Sequence, residues 1–398
     1  MGLDILQEKR ISLRKVISGT SLIAGTTIGA GMLGIPLVTS TAGFFPAFFA
    51  TLSVWVFMVL TGLLYIEVAL SLPSGANIFS MAGKYLGLRG KVAAGGMFLF
   101  LYYCLLIAYI AGGAPLLGYI IKSTVGVSLS PPTALLLFSV VFSGIVWLGV
   151  KAIDRVNLIL SIAMISAYIL LVMVGSSEVA AQKLMEAKWS KVCFALPVLF
   201  SAFGYHNVVP SLCTYLQRDR RSLKLSIFCG TGIALVIYLI WQWLILGSLS
   251  QEAIQKAVAA GQPVTAALQS LTGRNSLFAV GQAFGFFALI TSFLGVAFSV
   301  VDFLNDGLKW QGKKRPLLVL CTFGPPALCA FLNPAIFETA LGVAGGYGEA
   351  FLNGLLPIVL AWKYRKSQTG SVPGRNVLAF LFAFGLFVVG LETFVLLK

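Results

Sequence analysis

Two short runs of residues carry the types and spacing that could do chemistry. The first is Gly25-Thr26-Thr27-Ile28-Gly29-Ala30-Gly31, with Pro36 five residues on. The second is Ser201-Ala202-Phe203-Gly204-Tyr205-His206-Asn207, with Pro210 close behind; Phe203 precedes Pro210 by the seven residues that separate Gly29 from Pro36. Glycine backbone that leaves the helix can turn its amide N–H groups toward a ligand. A helix N-terminus at the same point adds partial positive charge suited to a carboxylate. The hydroxyls of Thr26, Thr27 and Ser201 can add hydrogen bonds. His206 is the one histidine of the chain; it is either a satisfied core residue or a group that binds or carries a proton.

Three further groups belong to the same inventory. Glu67 and Glu349 are carboxylates inside apolar runs, where an ionisable side chain is expensive and is by default functional. With no basic residue in the centre of any such run, neither has an evident partner, and either serves a proton relay or a structural network. Thr291 and Ser292 could coordinate a cation together with carbonyls of the first glycine run, or bond their own helix one turn back. Tyr102 and Tyr103 are candidate pocket walls. The proton-coupling candidates are therefore His206, Glu67 and Glu349, with His206 and Glu67 ahead. The binding candidates are Thr26, Thr27, Gly29, Ala30 and Gly31 in the first run, and Ser201, Phe203, Gly204, Tyr205 and His206 in the second, with Tyr102, Tyr103, Thr291 and Ser292 beside them.

The elements that must position these residues are membrane helices. The chain of 398 residues is 58% apolar and 10% charged, against roughly 25% charged in soluble proteins. Eleven apolar runs are long enough to span a bilayer: about 15–40, 44–70, 92–121, 132–150, 155–175, 192–216, 224–248, 275–302, 316–333, 336–361 and 376–397. Lys and Arg number 28. Twenty-one fall in one alternating set of segments, the N-terminal tail through Lys15, 84–91, 151–155, 218–224, 309–315 and 363–375. Only Lys122, Lys183, Lys188, Lys191, Lys256, Arg274 and Lys398 fall in the other. This asymmetry puts the N-terminus in the cytoplasm and, after an odd number of crossings, the C-terminus outside. The net charge of +15 is thus topological and does not imply a nucleic-acid partner.

Irregular backbone at membrane depth survives only where protein or a water-filled site surrounds it. Both irregular runs lie inside spans, the first and the sixth. Each heads a set of five spans, and five is odd, so the two sets cross in opposite senses. Paired interrupted helices in an inverted repeat point to the binding site of a secondary transporter. The organisation expected is a tail over 1–14, a first repeat over 15–175, an outer loop over 176–191, a second repeat over 192–361, an inner loop over 362–375 and a peripheral eleventh helix over 376–398. A short surface helix is expected within 249–274, and 77–91 reads either as a helix along the inner face or as an ordinary loop. Gly281 with Gly285, and Gly342 with Gly346, have the spacing of close helix packing. The first fourteen residues lack the apolar stretch of a cleavable signal.

Other machinery is missing from the sequence. There is no GxxxxGK[ST] loop for ATP, no HExxH and no GxSxG. The six cysteines, all in apolar stretches, read as small core residues. No enzyme, cofactor, metal site or ATP dependence is expected.

AGTTIGAGMLGIP (24–36), SAFGYHNVVPSL (201–212) and TSFLGVAFSVVDFL (291–304) resemble the hydroxy and aromatic amino acid permeases of bacteria, the tyrosine-specific permeases above the tryptophan permeases. The likeness runs through nearly the whole chain and includes Glu67 in LLYIEVAL. It implies an all-α integral membrane protein with a LeuT-type core of two inverted five-helix repeats, broken helices one and six, and one extra C-terminal helix. It also implies proton symport of an aromatic amino acid, tyrosine first with tryptophan or phenylalanine as alternatives, across the bacterial inner membrane. Substrate carboxylate and amine would lie at Thr26 to Gly31 and Ser201 to His206. Some similar proton-coupled transporters carry a lysine in span five; here VNLILSIAMISAYILLVMVG has none, so the coupling proton would fall to Glu67, Glu349 or His206. Sodium coupling, and a non-transporting sensor or scaffold, are the alternatives.

Overall fold

A computed structural model describes residues 13–271, 275–308 and 314–397. The tail over 1–12, Arg274, residues 309–313 and Lys398 lie outside the described residues. Within them there are ten helices long and apolar enough to cross a membrane, and one bent pair that makes an eleventh crossing.

That bent pair is α1 (Leu13–Thr27) and α2 (Gly31–Thr39), whose axes differ by 53° across the break. There follow α3 (Phe44–Ala69), α4 (Ile78–Val125), α5 (Pro131–Leu148) and α6 (Val150–Gly175), then the short α7 (Ala181–Met185). The sixth crossing is α8 (Leu196–Ala202) and α9 (Val209–Tyr215), joined through irregular backbone and one 3₁₀ turn at His206–Val208. Next come α10 (Arg220–Ser248), the surface helix α11 (Gln251–Ala259), α12 (Asn275–Leu308) and α13 (Arg315–Leu332). The tenth crossing is α14 (Phe337–Val343), a π-helical stretch over Ala344–Leu355, and α15 (Leu356–Thr369). The last crossing is α16 (Arg375–Leu396).

Local chemistry sets the ends of these helices. Asn77, Ser130, Asp219 and Ser250 each accept a backbone N–H from the first turn of the helix they cap, which satisfies one of the amides left over at a helix start. The segment 77–91 is helical, folding back at Gly87 (φ 71°) before α4 enters the bundle. The surface helix expected within 249–274 is α11, followed by a 3₁₀ segment at Val264–Ser270. Both glycine pairs are packing contacts: Gly281 and Gly285 seat Leu268 and Thr265 of that segment, and Gly342 and Gly346 seat Glu392 of α16.

α1 lies along α10, α12 along α6 and α4, and α8 is gripped between α2 and the π-helical stretch. Glycine permits both of the approaches that grip α8. A Cβ on Gly31 would stand 2.7 Å from Ala202 Cα, and one on Gly345 would overlap the carbonyl oxygen of Pro197 at 1.8 Å. The two breaks therefore meet in the middle of the bundle.

Candidate functional site

A cavity of about 610 Å³ occupies that meeting point. Its floor is the first break, residues 24–32, with Ser201, Gly204, Asn207 and Val208 of the second. From there it runs along the halves of α1, α6 and α12 that lead to the basic segments, reaching Ser21, Asn157 and Ser299. On the opposite side it is roofed by aromatic rings. Phe284 packs on Trp241 (5.2 Å between centroids) and on Tyr168 (5.7 Å), and Trp241 Nε1 donates to Met32 O at 3.0 Å. The cavity thus opens toward the basic side and is closed on the other.

Backbone groups freed by the breaks find partners on neighbouring helices. The Tyr238 hydroxyl sits between Thr27 O (2.6 Å) and Ala202 O (2.7 Å), bridging the C-terminal ends of α1 and α8. The amide of Ala30 donates to Ser292 Oγ at 3.0 Å. The amides of Gly29 and Gly31, at the entry to α2, have no acceptor among the described hydrogen bonds. They are donors available to an anion at a helix N-terminus.

The candidate residues separate on this geometry. Thr26, Thr27, Gly29, Ala30, Gly31, Ser201, Gly204, Tyr102, Thr291, Ser292 and Glu349 line the cavity. Several of their hydroxyls are already spent as donors. Thr26 and Thr27 donate to Leu22 O and Ile23 O, Ser201 to Leu341 O, and Thr291 lies within reach of Phe287 O and Ala288 O of its own helix. Each keeps lone pairs with which to accept.

Phe203, Tyr205, His206, Tyr103 and Glu67 lie off the cavity. Phe203 packs edge-on to Tyr238. Tyr205 is buried against α3 and donates to Met58 O at 3.0 Å. His206, 1% exposed, stacks on Tyr205 with Nε2 at 3.1 Å from Thr61 Oγ1. That hydroxyl can donate to Met58 O at 3.1 Å, which makes His206 Nε2 the donor to Thr61. Tyr103 points the other way and donates to Cys321 O of α13 at 2.6 Å. Glu67 has a partner after all: Arg365 of α15 donates through Nε and Nη2 to its two oxygens at 2.7 and 2.6 Å. Arg365 lies at the end of its span, and 298 residues separate this pair.

Glu349, ranked last of the three, is the one acid among the residues lining the cavity. It is 4% exposed, accepts a hydrogen bond from Asn353 Nδ2, and its Oε1 presses on Gly204 so closely that a Cβ there would sit 2.3 Å away. Tyr102 and Tyr109 stand near it. Sequence reasoning missed Asn353, Tyr109, Tyr168 and Tyr238. The Glu349–Asn353 spacing of four was a usable signal, since such pairs are neighbours on a helix. So was Tyr238 in the middle of a span, where a buried hydroxyl must find a partner.

Comparisons with known proteins agree with this architecture. The tryptophan/tyrosine permease family matches over residues 12–392. Tyrosine-specific transport system 1 of Haemophilus influenzae is 34% identical over 364 residues, 89% of this chain and 90% of that protein. The tryptophan-specific transport protein of Pseudomonas aeruginosa is 32% identical over 362 residues, 88% of this chain and 87% of that protein. Among solved structures, the LeuT-fold protein MhsT, crystallised in complex with L-phenylalanine, superimposes with a TM-score of 0.61 and 15% identity, covering 97% of this chain and 98% of that one. At that identity the likeness concerns the fold.

Proposed function

The chain belongs to the tryptophan/tyrosine permease family, and from that premise we propose that it imports an aromatic amino acid across a bacterial inner membrane by proton symport with alternating access. Tyrosine is the first substrate, with tryptophan and phenylalanine as the alternatives. The relatives' names support tyrosine and tryptophan, and a lining made by Tyr102, Tyr109, Tyr168 and Phe284 suits an aromatic side chain in general.

The substrate carboxylate takes the amides of Gly29 and Gly31, and its ammonium the carbonyl-rich ends of α1 and α8. The ring extends toward the aromatic roof. With the basic side cytoplasmic, the cavity corresponds to an inward-facing state.

The observation that carries the coupling assignment is Glu349 in the cavity wall with a neutral partner. Asn353 holds one carboxyl oxygen, so a proton can come and go on the other without breaking that bond. A carboxylate tied to a guanidinium, as Glu67 is, loses its partner on protonation. The sodium alternative rests on Thr291 and Ser292 facing the first break. Thr291 donates within α12 and keeps its lone pairs, whereas Ser292 already spends one of its two on the amide of Ala30.

Purified protein in vesicles made alkaline inside should accumulate labelled tyrosine, and replacing sodium by choline should leave the rate unchanged. Accumulation that needs sodium and ignores the proton gradient would overturn the coupling. Purely downhill flux would mean a channel, and binding without flux a sensor. Competition by leucine or lysine as strong as by aromatic amino acids would remove the substrate assignment.

A further inference from the structure

A second cavity, of about 340 Å³, lies at the basic end of the bundle between α3, α10, α15 and α16. Two of the basic segments in the sequence, 218–224 and 363–375, meet here. Arg220, Lys224 and Arg365 line the cavity, with Glu67 as the one acid in its wall. Arg365 is fully engaged, by Glu67 and by Pro373 O at 2.6 Å. Arg220 and Lys224 have no ion-pair partner among the described residues.

Their position makes this uncompensated charge more telling. Both sit at the start of α10, where the N-cap carboxylate, Asp219, is bonded to Ser222 and forms no ion pair with either among the described residues. A helix N-terminus carries partial positive charge, so cations there are at the wrong end of the dipole and a further anion relieves them. The opposite wall of the cavity is apolar, formed by Leu60, Leu64, Val377 and Leu381. It continues onto bare hydrophobic surface: Val377 is 56% exposed, and Leu225 and Phe228 of α10 are 50% and 55% exposed.

We propose that this cavity binds an anionic phospholipid, with its phosphate against Arg220 and Lys224 and its acyl chains along the leucine wall and the exposed face of α10. Basic pockets between helices on the cytoplasmic side suit such headgroups. A soluble phosphate would use the cations and leave the apolar wall without a role. The bound lipid would brace α3, α10 and α16 around the Glu67–Arg365 pair. α10 is also the helix that flanks α1 and carries Tyr238.

The test uses the full chain and does not depend on transport. Purified protein in neutral phosphatidylcholine nanodiscs is titrated with phosphatidylglycerol, reading the shift of the unfolding temperature and the lipid retained in native mass spectrometry. Phosphatidylglycerol should stabilise the protein, and the Arg220→Gln/Lys224→Gln variant should bind it about 25-fold more weakly, near a fivefold loss per cation. Arg89→Gln/Lys91→Gln removes the same charge from exposed residues of α4 and should leave the affinity unchanged. Should the double variant misfold, Lys224→Gln alone should bind about fivefold more weakly. Equal losses in the pocket and control variants would mean a diffuse surface field and overturn the site. Undiminished binding in the pocket variants would do the same. Equal stabilisation by inorganic phosphate in neutral lipid would show a soluble-anion site and overturn the lipid assignment.

Discussion

Glu67 and Glu349 are both carboxylates within membrane helices, and their surroundings differ in kind. Glu67 closes a two-bond ion pair with Arg365 at the basic end of the bundle, where both side chains are about one-fifth exposed. Glu349 is deep in the bundle, facing the main cavity, with an amide for a partner. An ion pair between two helices is a fastener: it works only while both members are charged. A carboxyl hydrogen-bonded to a neutral amide tolerates either protonation state, and a cavity gives it a route to water. The lesson is that the partner, more than the mere presence of an acid in the membrane, separates a coupling group from a structural one.

The largest expected effect breaks this comparison on the Glu349 side. Glu349→Gln keeps the shape and the Asn353 contact but cannot carry a proton. It should abolish proton-driven accumulation while exchange of labelled tyrosine across the membrane persists. Full accumulation in this variant would return the coupling role to another group.

Next comes the contact that brings the two breaks together. Gly31→Ala pushes a methyl into the backbone of Ala202, an overpacking that costs about 1–3 kcal/mol, and should remove both uptake and substrate binding. Gly29→Ala meets only the Ser292 hydroxyl. Its defect should be milder and should be partly relieved by Ser292→Ala, as scored by tyrosine binding. This adds a reason for the glycines. At Gly31 helix-to-helix approach is a constraint of its own, beside the amide that the residue offers to a ligand.

On the other side of the comparison, Glu67→Gln should lower stability by about 1–3 kcal/mol, between the values for exposed and buried pairs, with pH-driven uptake retained in the molecules that fold. Combining it with Arg365→Gln should cost less than the sum of the two. Loss of pH drive with normal stability would reverse the assignments of the two acids. His206→Gln should accumulate tyrosine under a proton gradient as the parent does, with thermal stability lower by about 1 kcal/mol from the lost Thr61 contact.

A third carboxylate, partly exposed at a helix start, calibrates the smallest effect. Asp219 caps α10, and its hydrogen bonds from Ser222, side chain first and then backbone, hold its carboxyl below the usual range. Its contribution is present above the ordinary carboxylate pKa and is lost as pH falls through the depressed value. Asp219→Ala should cost about 1 kcal/mol at neutral pH and less in acid, measured by unfolding at the two pH values.

Residue types alone determined the crossings, the one-sided distribution of Lys and Arg, and both breaks. Hydropathy sums along the chain, and glycine and proline act on their own backbone, so Gly29, Gly31 and Gly204 marked the irregular segments without any knowledge of neighbours. The cavity wall near the first break was legible for the same reason. Tertiary structure decided which side chains face that cavity. Glu67 is claimed by an arginine 298 residues away, and Ala30 by a serine 262 residues away. His206 is turned toward α3, one residue from positions that line the site. Glu349 reaches the cavity from a π-helical stretch, whose wider turn changes the face each residue presents from that of a regular helix. Facing depends on helix rotation and on long-range partners, and neither is written in local composition.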